Sequence, residues 1–175
     1  MSNAILQTLQ AKLALGFKEQ EHNPTFKPAA VLVLLAPAGK HLAVVLTKRS
    51  SRIAHQPGEI SFPGGRWEPA DANLLATALR ETHEEIGVAP EQVTVLGAMP
   101  RTIIARAGYV ISPFVGALKA PCQFKPNPDE VEELFSVPIG WLLDPAHRTI
   151  ETRAARPYPI APEYDVLPNY SYQYG

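Results

Sequence analysis

Glu81, Glu84 and Glu85 are the residues of this sequence best placed to do chemistry. They stand at i, i+3 and i+4, a spacing that brings the three carboxylates onto one arc of a helix. Like charges so close repel, and Arg80 alone is locally placed to relieve them. A hard divalent cation bound through oxygen ligands would resolve the conflict, which points to metal-assisted chemistry on an anionic substrate. Three glutamates within five helical residues more often form a solvated face. The flanking residues argue against that reading: a Pro63-Gly64-Gly65 turn lies upstream and a glycine stop, Gly87, downstream.

The elements that position these acids follow from the pattern around them. Asp71 is a good N-cap residue and Gly87 a natural C′ glycine, so a helix is expected between them. At about 100° per residue, Leu75, Leu79, Thr82 and Ile86 form one stripe with Ala78 at its edge, which predicts a core-facing side opposite Glu81 and Glu85. Upstream, residues 4–16 carry Ile5, Leu6, Leu9 and Leu13 at helical spacing. Residues 29–35 form a continuous apolar run that predicts a buried strand, with residues 42–47 as its hairpin partner across a Pro-Ala-Gly turn. Downstream, strands are expected over 92–99 and 109–118, with a loop carrying Arg101 and Arg106 between them. Residues 137–143 predict a short helix begun by Pro138, with Trp141 packed inward. The Tyr- and Pro-rich tail suits a strand pair such as 149–152 with 170–174. Strand-turn-strand, one long helix and further strands define an α/β class.

Residues 80–88, Arg-Glu-Thr-His-Glu-Glu-Ile-Gly-Val, together with Gly65, resemble the signature of the Nudix hydrolases: a glycine, a spacer, then Arg-Glu-x-x-Glu-Glu-x-Gly. The interval from Gly65 to Arg80 is one residue longer than the commonest form, and Asp71 stands where the spacer carries an acid. The run before it, Leu46-Thr47-Lys48-Arg49, then His55, Gly58-Glu59-Ile60-Ser61 and Phe62-Pro63-Gly64-Gly65, is similar to the extra motif of the coenzyme A pyrophosphatase subfamily, with Glu59 where many members have Gln. The resemblance covers about residues 29–145. It implies a Nudix α/β/α sandwich with a mixed β-sheet, its signature helix pinned by the Gly64-Gly65 loop. It also implies an Ile-Trp-Gly stretch and a final helix after the last strand; the sequence reaches Gly175 without them.

The same resemblance implies a pyrophosphohydrolase using Mg²⁺ or Mn²⁺. Glu81 and Glu85 are the expected main ligands, Glu84 a third or water-bridged one, and a carbonyl at Gly65 a further oxygen. Glu130, in the acidic run Asp129, Glu130, Glu132 and Glu133, is the expected proton acceptor. Arg80 and Glu84 are expected in the catalytic cluster. Lys48, Arg49, Arg52, His55 and Arg106 are expected on the substrate, because clustered cations suit a diphosphate and a ribose 3′-phosphate. The implied substrate is coenzyme A or an acyl derivative, cut to 3′,5′-ADP and 4′-phosphopantetheine. ADP-ribose, NADH and nucleoside triphosphates stay open as substrates of the same chemistry, and a silent nucleotide-binding module stays open as a different class.

Length and composition bound the rest. The 175 residues suit a single domain: an N-terminal helix and linker over 1–28, a core over 29–145 and a C-terminal segment over 146–175. Hydrophobic residues at 46% with charged residues at 19% belong to a globular protein. A net charge of -1 gives no general attraction to nucleic acid or anionic membranes, so a small-molecule partner is expected, with a homodimer compatible. One cysteine, Cys122, excludes an intramolecular disulfide framework and fits a reducing compartment. No apolar run approaches the roughly 20 residues of a transmembrane helix, and no secretory leader is visible, so the expected location is the cytoplasm.

Overall fold

The computed structural model describes residues 2–16, 25–53, 56–154 and 166–172. The apolar run becomes β1 (Lys27–Ala38), longer than the sequence pattern alone and turning at Gly39 (φ 61°) into β2 (His41–Arg49). β1 is the spine of the sheet. It pairs antiparallel with β2 and parallel with β7 (Tyr109–Leu118), with Leu32 opposite Phe114. β5 (Val93–Ala98) closes one side against β7, and β8 (Val131–Pro138) lies antiparallel to β2. Two short strands complete the site end: β3 (Ile60–Ser61) on β2, and β4 (Gly64–Arg66) on Ala29–Val31 of β1. The expected loop between β5 and β7 contains β6 (Thr102–Ile104) and a 3₁₀ turn, Ala105–Ala107.

Period-two alternation along β1 divides the core into two layers. Ala30, Leu32, Leu34 and Ala36 face the helix α2 (Leu74–Ile86), whose Ala78 and Ile86 are fully buried and whose Leu75 and Leu79 pack at the edge. Leu35, Val44, Leu96 and Val115 face the other way. They are covered by Leu6, Leu9 and Leu13 of α1 (Ser2–Gly16) and by Ile139 and Leu142 of α3 (Ile139–Leu143). Ile5, expected in the apolar stripe of α1, is instead exposed. The result is a mixed sheet between helical layers, as expected.

The start of α2 corrects the sequence reading. Asn73, not Asp71, is the N-cap: its extended backbone (φ −168°, ψ 177°) lets Oδ1 accept from the Ala76 N–H at 2.9 Å. Asp71 is released for another task. The other end is as expected, with Gly87 left-handed (φ 73°) and its N–H donating to the His83 carbonyl. Pro138 ends β8 and caps α3, and Trp141 is half-buried, stacked on His147 with ring centroids 4.5 Å apart. In the tail, β9 (Arg148–Ala154) pairs antiparallel with β10 (Val166–Tyr172), Ile150 facing Tyr170. Tyr174 lies outside the described residues.

Candidate active site at the signature helix

Three loops meet the outer face of α2 at one end of the sheet. The segment after β2 folds back so that Arg49 N–H donates to the Glu59 carbonyl at 2.9 Å and Gly58 N–H to the Arg49 carbonyl at 3.0 Å. The Pro63-Gly64-Gly65 turn is drawn against β1, where Leu32 N–H donates to the Pro63 carbonyl at 2.8 Å. Gly64 has φ 150°, and a Cβ there would overlap the backbone of Ala30 and Val31. The third loop, 127–130, is tied on both sides. Asn127 N–H donates to the Glu85 carbonyl at 2.9 Å and Ser50 N–H to the Glu130 carbonyl at 2.8 Å.

Glu85 is at the centre of this convergence and only 4% exposed. Its Oε2 accepts from the Gly64 N–H at 3.1 Å, and its Oε1 lies 3.9 Å from Arg49 Nη1, too long for a hydrogen bond. Burial pushes its pKa up to about 7, against the pull of the Gly64 N–H and Arg49 and with help from the negative charges of Glu81 and Glu130. Glu81 is also raised, again first by burial. Its carboxylate lies over Gly65: a Cβ there would come within 2.6 Å of Glu81 Oε1. Only glycine leaves room for that approach. The Glu130 charge raises both glutamates, which puts it within the same electrostatic cluster, and its Oε1 accepts from Asn127 Nδ2 at 3.2 Å.

Arg80 organises the other side. Its Nε and Nη2 donate to the two Asp71 oxygens at 2.8 and 3.0 Å, and Nη2 also reaches the Arg66 carbonyl at 3.1 Å. Its Nη1 contacts Glu81 Oε1 at 3.0 Å and Glu84 Oε2 at 2.9 Å. Asp71 further accepts from the Thr77 hydroxyl and the Glu68 N–H. The Arg80 guanidinium, followed by those donors, holds the Asp71 carboxyl well below the ordinary range. This anchoring role of Asp71 was not visible in the sequence, where its fitness as an N-cap was the stronger local signal.

The helical spacing therefore places the acids on one arc, but their carboxylates do not all converge. Glu81 and Glu84 share Arg80, while Glu85 is turned to Gly64 and Arg49. Among the described residues, no three carboxylate, histidine or cysteine side chains stand as a ready ligand set. The donor set still fits a hard cation: it is all oxygen, it carries excess negative charge, and Gly65 lets the Glu81 carboxylate lie against the backbone of the turn.

The expected substrate cations fall into two groups. Arg49 belongs to the cluster, and its Nε is buried with no hydrogen-bond partner among the described residues. Lys48 and Arg52 sit further out. Lys48 Nζ pairs with Glu132 at 2.6 Å on the exposed sheet edge, and Arg52 pairs with Asp129 at 3.3 Å with both side chains largely in solvent. His55 lies outside the described residues; Arg106 is placed in the 3₁₀ turn 105–107, with its side chain outside them. Tyr109 is covered by Arg66, the guanidinium 5.4 Å from the ring centre. Glu133 is exposed, and burial pushes the Cys122 thiol pKa up, away from nucleophilic use.

A mixed sheet between helices, with a glycine turn laid against an acidic helix, defines a class of α/β/α hydrolase folds. The NUDIX domain model matches residues 25–158, and the chain belongs to the Nudix family. It is 41% identical over 116 residues to the peroxisomal coenzyme A diphosphatase NUDT7 of Mus musculus, across 66% of this chain and 49% of that protein. It is 41% identical over 96 residues to the Nudix hydrolase NudL of Pectobacterium atrosepticum, across 55% of this chain and 50% of that one. The chain thus spans about half the length of these two relatives. Among solved structures, the Nudix hydrolase RenU of M. smegmatis superposes with a TM-score of 0.55 at 28% identity, over 66% of this chain and 73% of that one.

Proposed function

We propose that this chain is a divalent-metal-dependent pyrophosphohydrolase that cuts coenzyme A or its acyl derivatives to 3′,5′-ADP and (acyl-)4′-phosphopantetheine. The observation that carries the phosphate reading is Arg49: a buried guanidinium Nε without a hydrogen-bond partner among the described residues, beside Glu85, which Nη1 approaches only to 3.9 Å. A buried donor left unpaired is costly, and a phosphate oxygen is the acceptor a guanidinium fork fits best. The coenzyme A reading is supported by the Leu46–Gly65 motif and by the similarity to a coenzyme A diphosphatase.

Glu81 and Glu85, with Glu84 more peripheral and a Gly65 carbonyl nearby, would hold Mg²⁺ or Mn²⁺. The ion would supply charge neutralisation on the diphosphate and a lowered pKa for the attacking water. Glu130, held by Asn127 and part of the same acidic cluster, takes the proton of that water as it attacks one phosphorus and the P–O–P bridge breaks. Arg80 is a positioning residue: locked on Asp71, it holds Glu81 and Glu84 at the site.

The test is product identification by mass spectrometry after incubation with coenzyme A, dephospho-coenzyme A, ADP-ribose, NADH and nucleoside triphosphates, with Mg²⁺, Mn²⁺ or EDTA. The expected outcome is 3′,5′-ADP from coenzyme A with metal present and much weaker turnover of the dephospho form. Equal turnover of both would remove the coenzyme A assignment. Undiminished activity of Glu85→Gln with magnesium would remove the catalytic one.

A further inference from the structure

A cavity of about 560 Å³ lies between the first turn of α2 and the ends of β1, β5 and β7, and Glu85 is not among its lining residues. Its walls are largely apolar, with Leu74, Leu75, Met99 and Phe114 among them; Asn73 and Arg101 add polar groups, and Trp67 is 40% exposed. Ser112 lines it from β7. That serine is only 6% exposed, and its hydroxyl is buried with no hydrogen-bond partner among the described residues, while Ala98 and Phe114 beside it belong to the packed core. A largely apolar cavity of this size with a few convergent polar groups, Asn73, Arg101 and Ser112, has the make-up of a small-molecule site. The hydroxyl specifies what would complete it: a carbonyl oxygen carried on an aliphatic body.

The cavity adjoins the catalytic cluster on its Arg80 side. Trp67 follows Arg66, whose carbonyl accepts from Arg80, and Asn73 lies two residues beyond Asp71, which anchors Arg80. Arg49 and its unpaired Nε belong to the cluster's other contact, at Glu85. A substrate laid across the acids would therefore meet a cation at one end and an apolar cavity at the other. We propose that this cavity receives the aliphatic, carbonyl-bearing arm of the substrate, the acyl-pantetheine portion, with Ser112 donating to an amide or thioester oxygen. The assignment rests on the diphosphatase reading above for its substrate, and makes the cavity the site of acyl preference.

A test that does not depend on turnover is titration of the whole chain with S-octanoyl-pantetheine, which carries no nucleotide, following tryptophan emission. Binding is expected to shift the emission to the blue, with no shift in Trp67→Phe and none on adding 3′,5′-ADP. Ser112→Ala is expected to weaken binding by about three- to ten-fold, the value of one neutral hydrogen bond. Ala98→Leu, which fills the cavity, is expected to abolish it; circular dichroism checks that both variants fold. In turnover, Ser112→Ala should raise KM for octanoyl-coenzyme A and leave kcat unchanged. Unaltered octanoyl-pantetheine binding in folded Ser112→Ala and Ala98→Leu would overturn the assignment, as would failure of the wild-type chain to bind it. A chain that binds the probe but leaves coenzyme A intact would sink the diphosphatase reading and not this site.

Discussion

At the scale of single residues, Glu85 carries the clearest pH signature. Its folded pKa, near 7, lies above the ordinary 4.5 because burial disfavours the charged form. The sign follows directly. The folded state holds the proton more tightly, so the stabilisation is complete below pH 4.5 and is lost as pH rises through 7. The metal-free protein is therefore expected to lose on the order of 3 kcal/mol between pH 5 and 8, at 1.36 kcal/mol per unit. Denaturant melts in EDTA across that range would measure it, and Glu85→Gln should flatten the slope. Asp71 acts in the opposite sense. Its pKa is depressed by Arg80, so its contribution is present above pH 3.8 and is lost as acid is added beyond that. A second residue-scale prediction concerns Gly65. Its Cβ-free face touches Glu81, so Gly65→Ala must displace that carboxylate. The expected effect is a fall of about 10- to 100-fold in affinity for Mn²⁺, the range seen when a ligand's support is disturbed. Calorimetric titration would read it, and an unchanged affinity would show that Glu81 is not a ligand.

At the scale of elements, α2 shows what was legible in the sequence and what was not. The core stripe, the glycine stop and the acidic arc were readable, because helical periodicity fixes them whatever the rest of the chain does. The first turn is ambiguous in the sequence because two good capping residues, Asp71 and Asn73, lie close together. Asp71 has the local pattern of a cap, but Arg80, Thr77 and the Glu68 N–H all compete for its carboxylate, and the Arg80 pull comes from beyond the first turn. The division of the acids between Arg80 and Arg49 was likewise invisible, since it depends on loops brought from β2 and β4. The family resemblance puts Lys48 and Arg52 on the substrate, and nothing local to the β2 segment shows that Glu132 and Asp129 stand beside them; the pairing of β2 with β8 brings Glu132 to Lys48. Two variants separate capping from anchoring. Asn73→Ala should cost about 1 kcal/mol. Asp71→Asn should cost about 2 kcal/mol through the charged hydrogen bonds to Arg80. Both are read as a lower denaturant midpoint. The second should also weaken metal binding, because Arg80 would no longer hold Glu81 and Glu84 in place; the first should leave it intact.

At the scale of the whole molecule, the site is a junction. The β2–β3 loop, the β4 turn and the 127–130 loop meet there. They are joined through backbone bonds at Arg49, Ser50, Pro63 and Asn127 and through Glu85 itself. A metal held by Glu81 and Glu85 would place a bond between α2 and the glycine turn, where burial has raised the pKa of both carboxylates. Binding to the folded chain alone adds RT ln(1 + [L]/Kd), about 2.7 kcal/mol at one hundred times Kd. Mn²⁺ is therefore expected to raise the melting temperature of the wild-type chain by about 5–10 °C at that excess, given roughly 2–4 °C per kcal/mol for a domain of this size. The rise should grow between pH 6 and 8, because the cation must displace the Glu85 proton. Glu85→Gln should melt higher than wild type in EDTA at pH 8, having no buried charge to form, yet gain little from Mn²⁺. That crossing of the two proteins, variant more stable without metal and less stable with it, is the outcome a purely structural Glu85 could not produce. Parallel shifts in both proteins would place the ion elsewhere.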